Sequence, residues 1–224
     1  MQWCNVYAEP DRWRRQDPTA AVLTRWIADH LFLPHPQLGR PGPVCPFVRH
    51  SANRQLLWAG CAPSGAALSE SRLHRIVDDA SELYRELRRE RPTDSRLLTV
   101  ISAFPGLTSY DVIDSVHRDR KSEVVADGLM LGQFYPGCPV PGLWNREFRP
   151  LQAPVPMLVL RPMMSTDFPF LAARTEWLDA YLTRFAPDLP RRLRHSIAES
   201  MLVTGDAVDD ITGLRAHAAD EHAK

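Results

Sequence analysis

The stretch Leu97–Ala103, LLTVISA, decides the fold. It is apolar, rich in β-branched residues and stopped by Phe104-Pro105-Gly106, the pattern of a buried strand closed by a turn. Toward the C-terminus, Tyr110–Ala126 places Val112, Ile113, Val116, Val124 and Val125 at the apolar positions of an amphipathic helix, and Gly128 stands where a helix end favours a left-handed residue. Leu129–Phe134 (LMLGQF) and Pro156–Arg161 (PMLVLR) read as strands. Toward the N-terminus, a helix begins at Ser69, carries Leu73, Ile76, Val77, Ala80, Leu83, Tyr84 and Leu87, and is closed by Pro92. Strands are predicted at Gln55–Gly60 and around Val44–Arg49, joined as a hairpin by Ser51–Arg54. Asp17-Pro18 opens a further helix with Val22, Leu23, Trp26, Ile27 and Leu31 as its stripe, and Pro34 and Pro36 end it. Helices over about Phe170–Phe185 and Leu189–Leu202 complete the pattern.

Strands and helices do not alternate strictly, so a doubly wound parallel sheet is disfavoured. The expected fold is a single α+β domain with a five-stranded, largely antiparallel sheet and helices mainly on one face. Its expected bounds are residues 18–204, preceded by an irregular arm over 1–17 and followed by an acidic, frayed tail over 205–224.

At 224 residues and 25.4 kDa, the chain fits one domain. It carries 27 basic and 27 acidic residues, so no overall basic field draws it to nucleic acid or an anionic membrane. No apolar run approaches the length of a membrane span. The N-terminus MQWCNVYAEPDRWRRQDP lacks a basic start followed by an apolar segment, and four cysteines are too few for a disulfide scaffold. A cytoplasmic protein with reduced thiols is expected. Of the 27 Lys and Arg residues two are lysines, so 25 are arginines, whose planar forks grip carboxylates and phosphates.

Dinucleotide, phosphate-loop, serine-hydrolase and zinc-protease motifs are missing. Two loops hold the chemistry. The first, LPHPQLGRPGPVCPFVRHS (33–51), is a stiff proline/glycine segment that presents His35 and Cys45, either able to ligate iron or act on a substrate. The competing reading makes Cys45 a small core residue. The second, between 135 and 156, carries Tyr135, Cys138, Trp144, Asn145, Arg146, Phe148 and Arg149, with Arg161 on the next strand. A loop so long and so aromatic is the usual material of a small-molecule site, although a proline-stiffened cover over the sheet edge is the plainer alternative. Cys45, Cys61, Cys138 and His50 match no zinc spacing. His30 and His35, five apart across a proline, do not share a helix face, and His74 and His117 read as solvated helix-surface residues.

The strings HPQLGRPGPVCPFVR (35–49), DGLMLGQFYPG (127–137) and GLWNREFRPLQAPVPMLVLRPMMSTDFPFL (142–171) resemble an uncharacterised bacterial and fungal domain family whose members often sit among specialised-metabolism genes. The resemblance covers roughly residues 18–185. That family commonly has a histidine after the arginine matching Arg161, where this chain has Pro162. The layout is also loosely similar to haem-dependent amine and guanidine N-hydroxylases, an analogy of fold.

Together these readings give an expected function: a small biosynthetic enzyme, haem-dependent, doing oxidative chemistry on a polar amino-acid-derived metabolite. Haem would be ligated by Cys45 or His35. Arg149 and Arg161 would hold a propionate or the substrate carboxylate, and Trp144 would line the cofactor pocket. Tyr135, Asn145 and Arg149 would serve catalysis. The substrate is expected to be anionic or zwitterionic, and a homodimer is compatible with the sequence. The alternatives are a metal-free cyclase or transferase using the 135–161 loop, with Asp167 helping in acid/base work, and a non-catalytic binding protein.

Overall fold

The computed structural model describes residues 1–63 and 68–202; the expected tail over 205–224 lies outside them. The elements run β1 (Cys4–Asn5), α1 (Pro10–Arg14), α2 (Thr19–Trp26), α3 (Val48–Asn53), β2 (Leu57–Cys61), α4 (Glu70–Glu90), β3 (Thr99–Ala103), α5 (Asp111–Ala126), β4 (Leu129–Phe134), β5 (Met157–Pro162), α6 (Thr175–Phe185) and α7 (Arg191–Ser200). Two compact units result. The larger comprises Met1–Arg120 and Leu131–Pro162, and the smaller Lys121–Met130 with the segment that starts at Met163.

The sheet has five strands in the order β1-β2-β3-β5-β4. Among the described residues β2 with β3 is the one parallel pair; β1 on β2 and β5 on β3 are antiparallel. The α+β class and the largely antiparallel five-stranded sheet therefore stand as expected. One strand is not where it was expected. Val44–Phe47 forms bends and a turn, Val48 and Arg49 begin α3, and Pro46 supplies no N–H for a ladder. The fifth strand is β1, inside the segment expected to be an irregular arm, with Cys4 opposite Ala59 and the Val6 N–H bonded to the Leu57 carbonyl at 3.0 Å.

Strand alternation splits the core into two layers. Leu57, Ala59, Cys61, Ile101, Ala103 and Met157 share one face and pack with Leu23 and Ile27 from α2 and the turn that follows it. Each such fully buried Leu or Ile contributes about 1.5–3 kcal/mol relative to exposure. Val100, Ser102, Leu158 and Leu160 lie on the opposite face against Val77 and Ala80 of α4. Helical cover is therefore not confined to one face: α2 and the turn after it pack on one side of the sheet and α4 on the other. In α4, Leu73, Ile76, Val77, Ala80, Tyr84 and Leu87 are buried at helical spacing, as the sequence indicated.

In the smaller unit, Val125, Met130, Met163 and Leu171 form a separate cluster with Trp177 and Tyr181 packed on it. The Trp177 indole donates to Ser122 at 2.9 Å, and Lys121 lies 4.2 Å from the Trp177 ring centroid. No helix among the described residues is long and apolar enough to cross a membrane.

Candidate functional site

The site is built where the two expected loops meet. In the first, the backbone doubles back on itself: the Val44 N–H reaches the Leu33 carbonyl at 2.9 Å, the Cys45 N–H reaches Leu31 at 3.1 Å, and Pro34 bridges Pro43. Prolines here leave carbonyls without backbone donors. Arg40 supplies them, donating to the carbonyls of Pro41, Pro43 and Val44. His35 caps the short turn Pro36–Leu38 by accepting the Gln37 N–H on Nδ1 at 3.2 Å.

The second loop closes on the end of β4. The Tyr135 N–H bonds Leu151, the Ala153 N–H bonds Tyr135, and the Gly142 N–H bonds Phe148 at 2.8 Å. Two features lock this loop to the first. The Asn145 side chain donates to the Gln37 carbonyl at 2.9 Å. Gly39, at φ +77°, passes so close to Trp144 that a Cβ would lie 2.8 Å from its carbonyl oxygen. Glycine is required there on both counts.

This docking gathers an array of rings. His35 stacks on Phe148 with centroids 4.7 Å apart, and His30 meets His35 edge-on at 5.8 Å. Trp26 stacks on His30 at 5.7 Å and takes Phe134 edge-on at 6.2 Å. Phe148 is buried, while Trp26, His30 and His35 are half-buried. The sequence separated His30 from His35 because Pro34 breaks the helix between them. The chain brings them together because α2 ends in a π-turn, Ile27–Leu31, which re-aims His30. Such turns recur at functional positions.

The two imidazoles differ chemically. Burial, with the nearby His35 second, lowers the pKa of His30, so it is neutral near pH 7. It then offers one acceptor nitrogen. In His35, Nδ1 already accepts the Gln37 N–H, so the neutral ring carries its proton on Nε2 and presents a donor.

Tyr135 belongs to a different group. It follows Phe134 directly, and alternation along the strand turns it to the other side of the sheet. Its ring stacks on Tyr110 at 4.8 Å, and its hydroxyl donates to Asp114 Oδ2 at 2.8 Å. Burial, then the bond to Asp114, holds its pKa well above the usual phenol range. Burial also pushes up the nearby Cys138 thiol.

The remaining expected residues are spread out. Arg149 donates to the carbonyls of Arg146 and Phe148 in its own loop. Arg161 sits at the far end of β5, past the Leu160–Val100 pair, with its guanidinium on the Pro162 carbonyl. About 13 Å of strand separates Met157, where the loop enters, from Arg161. Cys45 packs as a half-buried side chain against the core under α2. In the smaller unit, Asp167 is buried and accepts the Met164 N–H at 2.7 Å.

These placements do not form the haem set expected from the sequence. An axial histidine needs a bare Nε2 with Nδ1–H donating to a partner, and His35 shows the reverse. Arg149 and Arg161 each donate to a carbonyl of their own segment. Cys45, Cys61, Cys138 and His50 do not gather either: among the described residues the one histidine, cysteine and carboxylate group close enough to share an ion is Glu70, His74 and Asp119. Burial, with Asp17 second, pushes the Cys61 thiol up to about 12.

A family model described as a domain of unknown function (DUF6875) matches residues 20–196. Neither the curated proteins nor the solved structures contain a match to the chain.

Proposed function

The chain belongs to this DUF6875 family, a domain of unknown function, and we propose from its own residues that it is a small enzyme working without haem, by proton transfer on a polar metabolite with a planar group. The observation that carries the reading is the His30–His35 pair at 5.8 Å, set among Trp26 and Phe148. His30, held neutral, accepts a proton from the substrate. His35, with Nδ1 engaged by Gln37, donates from Nε2 to the oxygen or nitrogen on which charge develops. Trp26, half-buried, offers apolar ring surface to a planar group, and the buried Phe148 backs the His35 ring. Asn145 and Gly39 hold the two loops in register. Proton transfer of this kind fits the cyclase or transferase class more closely than an oxidation. An origin of the substrate in specialised metabolism, from an amino acid, is part of the proposal. A cytoplasmic location suits it.

Turnover by wild type, His30→Gln and His35→Gln of a panel of aromatic and heteroaromatic amino-acid derivatives, followed by mass spectrometry, tests the reading. Consumption by wild type, with losses of about 100-fold or more in each variant, supports it. Unchanged turnover in both folded variants overturns it.

A further inference from the structure

We propose that Glu70, His74 and Asp119 form a binding site for a divalent transition-metal ion of the zinc class, clamping the start of α4 to α5. The group lies within the larger unit and is independent of the His30–His35 reading. Glu70 and His74 are four apart, so both project from one face of α4. Asp119 reaches them from α5. His74 Nε2 lies 3.7 Å from Asp119 Oδ2 and 4.0 Å from Glu70 Oε1, and all three donor atoms fall within 4.8 Å of one another.

Donors around a tetrahedral zinc with bonds near 2.0–2.1 Å stand about 3.4 Å apart. The two His74 separations exceed that by about 0.3 and 0.6 Å, and Glu70 and Asp119 stand within 4.8 Å of each other, so the three side chains close on an ion by rotating inward. Ser115 donates to Glu70 Oε1 at 2.7 Å, fixing that carboxylate from the facing helix. Arg120, the neighbouring cation on α5, pairs with Asp78 on α4. One imidazole with two carboxylates suits zinc, manganese or cobalt, and three protein ligands leave a position for water.

The alternative is a solvated ion-pair cluster, and metal titration separates the two. Untagged protein is titrated with Zn2+ while its melting temperature is followed, then with Co2+ while visible absorption is recorded. The proposal expects saturable Zn2+ binding that raises the Tm by about 5 °C at a hundredfold excess over Kd. It expects a cobalt d–d band without thiolate charge transfer. His74→Ala, a change at a partly exposed helix position with the fold checked by circular dichroism, abolishes both. Asp119→Asn weakens binding at least about tenfold. No shift in wild type, or the same shift in His74→Ala, overturns the proposal. So does a thiolate band, which would put the ion on cysteine.

Discussion

The imidazole of His35 lies stacked on the ring of Phe148, centroids 4.7 Å apart and planes 29° from parallel. Residues 113 positions apart in the chain are thereby joined in one ring array, and the stack covers Phe148 while leaving an edge of His35 half-exposed. His35→Ala is expected to cost about 1 kcal/mol from the lost stack, with a further loss at the uncapped Gln37 N–H. His35→Phe keeps the stack and loses only the cap. Urea unfolding should rank wild type above Phe and Phe above Ala. Equal stability of Ala and wild type would show that the stack contributes nothing.

Gly39 and Gly137 provide a matched pair. Both have positive φ, +77° and +75°, but a Cβ at Gly39 meets the Trp144 backbone whereas one at Gly137 meets nothing within 4 Å. Gly137→Ala should therefore cost about 1 kcal/mol, from backbone strain alone. Gly39→Ala should cost about 2–3 kcal/mol, because the second loop must also move away. Similar losses from the two would refute the close docking of the loops.

Tyr135→Phe removes the only donor to Asp114 seen among the described residues; its other oxygen, Oδ1, is buried with no partner there. The expected loss is about 2 kcal/mol, the cost of an unpaired buried acceptor. Tyr135→Phe combined with Asp114→Leu should recover about half of it or more, since both polar partners are then gone. A double-mutant cycle in urea checks this, and strict additivity would contradict the pairing. In wild type, alkaline absorbance titration should leave Tyr135 un-ionised beyond the ordinary phenol range until the fold is lost.

His30 makes stability depend on pH in a stated direction. Its folded pKa lies below the ordinary 6.5. Between those two values the unfolded chain binds more protons than the folded one, so stability rises with pH there. The contribution is present above about pH 6.5 and is lost as pH falls through the folded value. Urea unfolding from about pH 8 to about pH 5 should show a shallower slope in His30→Phe than in wild type. An unchanged slope would show that His30 titrates normally.

Much of the fold was legible because its signals are local. LLTVISA declares a strand through β-branching and a proline-glycine stop, and α4 declares itself through seven positions at helical spacing. β1 was not legible, because two residues carry no alternation to read. Val44–Arg49 misled because its apolar residues suggest a strand while Pro43 and Pro46 cannot join a ladder. At the site, the sequence picked out His35, Trp144, Asn145 and Phe148 through their stiff, aromatic loops, and the chain does bring those loops together. It placed Tyr135 with them, but the alternation between Phe134 and Tyr135 sends Tyr135 to α5. His30 was missed because its partnership depends on the π-turn, which replaces the regular helical register. The sequence offers Arg149 and Arg161 as anion clamps. Arg149, like Arg40 and Arg49, instead donates to loop carbonyls. Such a use has no sequence spacing to reveal it.

The most direct test of the account is a long-range 1H–15N NMR titration of the histidine rings, with His30→Gln and His35→Gln for assignment. The account predicts a His35 ring with its proton on Nε2, and a His30 ring that stays neutral below the ordinary histidine range. Both should shift together when a turned-over substrate binds. A His35 ring protonated on Nδ1, or a His30 that titrates at about 6.5, would contradict the pairing of one base with one donor.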